Sequence, residues 1–525
     1  MNRNNLVIIL LVSAALVIAY SWYSSYPLSM NSANDNVFNH ISLLYWASLP
    51  AILVALFAVA VVSRNYSVKW IAAIALVVTI YSLAYFYRML PGSDSHYFRG
   101  LTEYFVQTRN LDASQQNHIY FQWPSFFLFN DITTSISGLG LPTFEFISYT
   151  VIGLLMSTAL YVHFSKTFRN GAFLAVAAFF ISVYSFLNYQ SAPFSLAFGI
   201  LLTLFMLENR QRSIGATIAM MALYIGITFM HAFVPLFFIL YLFFRFLVNR
   251  DRRYIYLFAL TLTIYAMVQI TQALLFFAKS IRDTFTLLFA SEYSGMVDIT
   301  ISGASLPVDR IVQTFSRTAT VLAIALCLIG FIFALTKKKM RDIDKAIFFA
   351  GIVYSAIGIV LSTLGSRAIP MAFIPVALGA AYLFESKYKR ILGGIFCISL
   401  IFFVFVPMHA SLGDYPIFFQ TKNEYETEHF ILDKYDMNAS TTILSEISVR
   451  SYLRPQVPEN VELQSVISVL FKSQEIGSIK CIVYDIGFEK ALQKSDMPVE
   501  NASREILSGF DVVYNSGTAY IAVRP

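Results

Sequence analysis

The sequence predicts an α-helical polytopic membrane protein of about thirteen transmembrane helices, N-terminus inside and C-terminus outside, with a small extracytoplasmic α/β domain at its C-terminus. Three observations carry this prediction. Hydrophobic residues fill 57% of the 525 positions and charged residues 13%, against roughly 45–50% and about 25% in soluble domains. The apolar residues gather into runs close to the ~20 residues that cross a hydrocarbon core about 30 Å thick. The charge is divided: residues 1–407 hold 27 Lys and Arg against 15 Asp and Glu, whereas residues 408–525 hold 10 against 16.

The runs lie near 5–23, 42–63, 70–89, 145–163, 171–188, 193–208, 213–231, 233–249, 254–278, 318–336, 346–364, 368–384 and 391–407. The first is long, lacks a small-residue cleavage pattern and is followed by a second span, so it reads as a retained helix rather than a signal peptide. With the N-terminus inside, the inner loops hold 19 basic residues, including Arg245 and the run Lys337–Lys339, and the longer outer loops hold 8. That bias is the positive-inside pattern, so the basic charge reports orientation rather than nucleic-acid binding. Residues 1–407 therefore form the membrane part, with outer loops 90–144 and 279–317, and residues 408–525 form the outer domain.

The outer domain reads as a helix over Asn423–Tyr435, then strands at Thr442–Leu444, Cys481–Tyr484 and Asp511–Val513, with a hairpin around Asn515–Gly517 leading into Tyr520–Val523. Sequons at Asn438 and Asn501 fall on the outer side and one at Asn65 on the inner side. With 49 Phe, 31 Tyr, 23 Gly and 16 Pro the composition excludes collagen-like and disordered chains. Three cysteines make no disulfide framework: Cys327 and Cys397 sit inside apolar runs and Cys481 has no evident partner. There is no Walker loop, His-Glu-x-x-His, Gly-x-Ser-x-Gly or Cys-x-x-Cys, so nucleotide hydrolysis, zinc proteolysis and serine-esterase chemistry have no support.

The candidate chemistry gathers on the outer side. Pro91-Gly-Ser-Asp-Ser-His-Tyr-Phe-Arg-Gly100 follows the third run, and Ser95–Gln107 then sets Tyr97, Phe98, Leu101, Tyr104 and Phe105 on one face, as in a helix lying along the membrane surface. Asp94 stands at its start, with His96, Arg99 and Glu103 following as substrate-binding candidates. Three readings of Asp94 stay open: a general base towards an acceptor hydroxyl, an oxygen ligand of a divalent cation, or an N-cap. His231 lies where the seventh run gives way to the eighth, and Arg367 lies in Leu364-Gly-Ser-Arg-Ala-Ile-Pro370 on the outer side. A guanidinium there either pairs with a phosphate or snorkels to lipid headgroups, and a helix-end histidine either binds or packs. His118–Ser125 leads into the short apolar piece Phe126–Phe129, which either re-enters or lies flat; Tyr120 and Trp123 either line a groove or anchor at the interface. In the second outer loop Asp283, Glu292, Asp298 and Asp309 show no linking spacing.

This order of features resembles the GT-C superfamily of polytopic glycosyltransferases, including dolichyl-phosphate-mannose protein mannosyltransferases and their archaeal relatives. Gly92-Ser-Asp-Ser-His-Tyr-Phe-Arg is similar to the family's first-loop acidic motif. Ser191-Ala-Pro-Phe-Ser-Leu-Ala-Phe-Gly, Met230-His-Ala-Phe and Gly365-Ser-Arg-Ala-Ile-Pro look like family positions on outer helix ends. The resemblance implies an inverting hexosyltransferase-like enzyme using a polyprenyl- or dolichyl-phosphate sugar. It makes Asp94 the catalytic or metal-associated carboxylate, with Mg or Mn as the metal where one is bound, and Arg367 the lipid-phosphate binder. In the family this loop commonly follows the first span, whereas here it follows the third run, so two extra helices precede the module. The competing classes are a non-enzymatic receptor or assembly subunit, and a transporter or flippase of a lipid-linked solute.

Overall fold

The computed structural model of the chain describes residues 3–25, 41–63, 65–82, 93–113, 116–168, 171–187, 192–208, 214–274, 328–336, 340–360, 365–385, 422–434, 442–445, 447–457, 461–465, 479–485, 507–515 and 519–524, with a few single residues between. The apolar runs fold as helices: α1 (Arg3–Ser25), α2 (Leu43–Val62) and α3 (Tyr66–Tyr81) precede the first loop. The loop itself forms α4 (Ser93–Thr108), a 3-10 turn (Gln116–Gln122) and α5 (Ser125–Ser137). Then follow α6 (Leu141–Ser165), α7 (Gly171–Leu187), α8 (Pro193–Glu208), α9 (Ile214–Thr228), α10 (Val234–Asn249), α11 (Arg252–Gln272), α12 (Asp342–Val360) and α13 (Gly365–Phe384). Of run 318–336 the stretch 328–336 is described, and it is helical; run 391–407, the loop 279–317 and the sequons at Asn438 and Asn501 lie outside the described residues.

Local signals end these helices where the sequence changes. Ser42 and Asn65 accept hydrogen bonds from Leu44 N–H (3.3 Å) and Ser67 N–H (2.9 Å), capping α2 and α3, so Asn65 has a structural role. Arg250 in the left-handed region (φ 58°) closes α10, and Asp251 caps α11 at once, accepting from Arg253 N–H at 3.0 Å. The Arg253 guanidinium hydrogen bond holds the Asp251 carboxyl below its ordinary range.

Among the described residues, three stretches are long and apolar enough to cross a membrane by themselves, Leu43–Ala60, Leu141–Ser165 and Arg252–Gln272, and shorter apolar helices pack beside them. Their outward positions are apolar too: Ile147 and Val151 on α6, and Met267 and Ile270 on α11, are exposed. Such faces suit hydrocarbon rather than water.

The ends of the helices away from α4 are tied by buried ion pairs. Arg245 donates to Glu208 of α8 (Nη2···Oε1 3.1 Å) and to the Tyr254 hydroxyl (2.7 Å), while Tyr241 donates to the other carboxylate oxygen at 2.6 Å. Arg341 pairs with Asp344 at 2.8 Å, and Tyr382 of α13 donates to the same carboxylate at 2.6 Å. Arg245, read from sequence as a loop-side basic anchor, is thus a buried partner, because Glu208 ends the helix packed against it.

Helix α5 carries a second apolar face. Phe126, Phe127 and Asn130 point into the protein, whereas Leu128, Phe129, Ile132 and Ile136 are exposed on the opposite side, and only Gly138–Gly140 separate α5 from α6. Asp131 is drawn off that face by its ion pair with Arg109. Two such faces are the pattern of an interfacial helix. With the four native Trp replaced by Phe, a Trp introduced as Ile136→Trp is expected to be quenched by bromine-labelled acyl chains in proteoliposomes. A Trp introduced as Asn110→Trp, in the water-exposed segment after α4, should be quenched far less.

After the bundle, α14 (Lys422–Lys434), β1 (Thr442–Ser445), α15 (Ile447–Leu453), β2 (Glu462–Ser465), β3 (Cys481–Asp485), β4 (Asp511–Asn515) and β5 (Ala519–Val523) form an α/β unit. The sheet order is β2-β1-β3-β5-β4, with β2, β1 and β3 parallel and β5 and β4 antiparallel. Helices α14 and α15 cover one face, where Ile431, Val449 and Tyr452 pack on Ile443, Cys481, Val483 and Ile521. All four residues of β1 are buried, as a central parallel strand requires. Burial pushes the Cys481 thiol up to about 12, which makes it inert as a nucleophile.

Candidate functional site

Helix α4 begins at Ser93, so Asp94 sits inside its first turn rather than ahead of it as a cap. Phe98, Leu101 and Phe105, spaced three and four apart, are buried against the aromatic layer of the loop, with Phe98 ring to Tyr120 ring at 4.8 Å. Arg109, in the left-handed region (φ 56°), ends the helix. The sequence reading laid this helix along the membrane surface with one apolar face. Instead Ser95, His96, Arg99, Gly100 and Thr102 are buried as well, because α15 of the C-terminal unit packs over the other side, with Tyr452 and Pro455 against Gly100.

The loop candidates are therefore enclosed. Arg99 is fully buried and directs Nε and Nη2 to Glu145 Oε2 of α6, at 2.9 and 2.6 Å. A guanidinium out of water needs such a partner, and the pair locks α4 onto the start of α6. Glu103 accepts the Tyr452 hydroxyl hydrogen bond, with His429 Nε2 at 3.8 Å. His96 is fully buried on α4. Arg99 and Glu103, expected to bind substrate, thus have protein partners that the sequence could not show; Glu145, Tyr452 and His429 were missed.

His231 stands in the turn between α9 and α10, and its Nδ1 accepts from the backbone N–H groups of Phe233 (3.1 Å) and Val234 (3.4 Å). It caps α10, which fixes the ring proton on Nε2 in the neutral form. The turn is held from three sides: Ser125 N–H donates to Phe229 O (3.1 Å), Tyr265 OH to Ala232 O (2.9 Å) and Tyr354 OH to Phe233 O (3.0 Å). A legible signal existed, since Val234-Pro235 marks a helix start three residues on. Arg367 lies in the first turn of α13, at the same end of the bundle as α4; its side chain and that of Asp94 lie outside the described residues.

A partly open groove runs between α3, α6, α7 and α8. Val77, Tyr81, Ile152, Met156 and Phe180 give it an apolar wall. Ser195 adds a buried hydroxyl with no hydrogen-bond partner among the described residues. Tyr149, in the wall, stands one turn along α6 from Glu145.

No cluster of three or more His, Cys, Asp or Glu among the described residues is arranged to hold a metal. The described carboxylates beside α4 do not fit one: the Arg99 guanidinium disfavours a second cation at Glu145, and Glu103 holds Tyr452 and His429.

The sequence matches no protein-family model and no curated protein. The structure does find relatives in shape. The oligosaccharyltransferase of Archaeoglobus fulgidus, solved in complex with Zn and sulfate, superposes with a TM-score of 0.50 at 13% identity over 87% of this chain and 73% of that one. The chain has the GT-C fold. ArnT from Cupriavidus metallidurans in the apo state also matches, with a TM-score of 0.38 at 14% identity over 87% of this chain and 98% of that one. A GT-C fold is built from membrane-crossing helices, and the apolar exposed faces of α6 and α11 agree with a polytopic membrane protein.

Proposed function

We propose that the chain is a multi-pass membrane glycosyltransferase that moves a sugar from a polyprenyl- or dolichyl-phosphate carrier to a glycan, lipid or protein acceptor on the outer face of the cell membrane. In this reading residues 1–407 form the transmembrane part with thirteen spans, N-terminus inside, and residues 408–525 lie outside. The observation that carries it is the junction of the groove with α4: Tyr149 in the groove wall is one turn from Glu145, and Glu145 holds Arg99 of the helix whose first turn includes Asp94. A carrier lipid entering the groove from the bilayer brings its phosphate to the level of α4.

Asp94 then takes the proton of an acceptor hydroxyl while that oxygen attacks the anomeric carbon. The bond from that carbon to the phosphate oxygen breaks, the lipid phosphate leaves, and the single displacement inverts the anomeric centre. Arg367 binds the phosphate through paired hydrogen bonds. His231, on the same end of the bundle, shapes the site through the α9–α10 turn, and His96 sits two residues from Asp94 on the buried side of α4. The described ion pairs lie at the two ends of the helices rather than along a mid-membrane path, which favours surface chemistry over transport.

The test is a transfer assay in proteoliposomes with a panel of polyprenyl-phosphate sugars. Wild type is expected to release lipid phosphate and glycosylate an acceptor. Gly153→Phe, which fills the groove between α6 and Val77, is expected to raise KM for long-chain donors about tenfold, or roughly 1.4 kcal/mol, and to spare short-chain ones. Equal effects on both lengths would remove the lipid from the groove.

A further inference from the structure

Four contacts of different kinds join α4 and the segment after it to the C-terminal unit. A Cβ at Gly100 would come within 2.3 Å of the Tyr452 carbonyl oxygen and 2.9 Å of Pro455 Cγ, so α15 reaches α4 only because residue 100 has no side chain. His118 donates from Nε2 to the Pro455 carbonyl at 2.6 Å, since a carbonyl can only accept. The Tyr452 hydroxyl donates to the Glu103 carboxylate, and its oxygen accepts from His429 Nε2 at 3.1 Å. His429 Nε2 also lies 3.8 Å from that carboxylate. Tyr452 is fully buried, and its ring belongs to the core of the C-terminal unit. The hydroxyl therefore ties that core to one side chain of α4.

Glu103 lies nine residues after Asp94 on this helix, which is roughly 13.5 Å of rigid rod at 1.5 Å per residue. A tilt of about 5° about the Glu103 end would move the first turn by about 1 Å, and a misplacement of that size can cost about a hundredfold in rate. At its middle, α4 is pinned by Arg99 to Glu145 of α6. Two fixed points, one in the membrane part and one in the C-terminal unit, define the direction in which its first turn projects.

We propose that Tyr452 is a positioning residue: through Glu103 it sets the pitch of α4 and so the place of Asp94, which makes the C-terminal unit a structural part of the catalytic site. The inference rests on the glycosyl-transfer reading for its kinetic consequence only. Tyr452 touches no reacting atom, and its effect passes through α4.

The experiment uses the full-length protein in nanodiscs, with Tyr452→Phe, which keeps the ring and removes the hydroxyl, and Glu103→Gln, whose amide oxygen still accepts. Tyr452→Phe is expected to lower kcat about tenfold or more with the KM of a polyprenyl-phosphate sugar unchanged, and Glu103→Gln to retain most of the activity. Amide hydrogen exchange of residues 93–100 should accelerate in Tyr452→Phe while that of β1 and β3 stays as in wild type. Wild-type kcat with wild-type exchange in α4, or a change confined to KM, overturns the proposal. Should Tyr452→Phe fail to fold, Glu103→Ala, which removes the acceptor and leaves the Tyr452 core intact, carries the same expectations. A wild-type protein that transfers sugar from no donor sinks the glycosyl-transfer reading instead, and the exchange measurement still decides whether the joint holds α4.

Discussion

Asp94→Asn is expected to lower kcat by about 10²–10⁴-fold, the usual contribution of a positioned general base, and to leave donor KM within about twofold. Asparagine keeps the size and shape of the side chain and its place in the first turn of α4, but an amide cannot take up the acceptor proton. The position suits the role: backbone N–H groups at a helix start favour a negative charge there. Loss of turnover should therefore come with intact binding of the lipid donor, measured by equilibrium titration with a non-transferable polyprenyl-phosphate analogue. Wild-type turnover in Asp94→Asn would end the base mechanism. A fall in donor affinity equal to the fall in rate would move Asp94 from catalysis to binding.

Much of the architecture was legible because it depends on short-range pattern. Apolar runs became the helices α1 to α3 and α6 to α13, and the strands starting at Thr442, Cys481 and Asp511 fell where β-branched and aromatic residues cluster. The short elements were missed for a physical reason. β2 reads Glu-Leu-Gln-Ser, a polar edge strand without alternation, and α15 is only seven residues long. Both take their structure from the sheet they pack on.

The site was less legible, because its determining contacts are distant in sequence. Asp94 could be placed at a helix start from the Pro-Gly-Ser-Asp turn. Nothing in the sequence ties Glu103 to Tyr452, 349 residues away, or Arg99 to Glu145, 46 residues away on another helix. Glu145 itself is the first residue of the apolar run 145–163. A lone Arg or Glu beside a hydrophobic stretch reads equally as a substrate contact or as half of an ion pair. The fold decides only when the other half is brought alongside. Here it gives Arg99 a carboxylate.

The Arg99–Glu145 pair offers the sharpest stability test. Glu145→Ala leaves a guanidinium that is 0% exposed without its carboxylate, and removing one partner of a buried pair typically costs about 3–5 kcal/mol. Thermal unfolding in detergent, followed by tryptophan fluorescence, should therefore shift strongly downward. The double variant Arg99→Met with Glu145→Leu removes both charges and keeps most of the volume, and such replacements are often neutral or stabilising by about 1–4 kcal/mol. Its unfolding temperature is expected to return to the wild-type value or above it. Activity in the double variant then separates two roles that stability alone confounds. If the pair only clamps α4 to α6, packing of the apolar replacements restores the clamp and turnover recovers with stability. If the Arg99 guanidinium also attracts the donor phosphate, stability recovers while donor KM stays high. The enclosure of Arg99, with Nε and Nη2 both spent on one carboxylate oxygen, favours the first outcome.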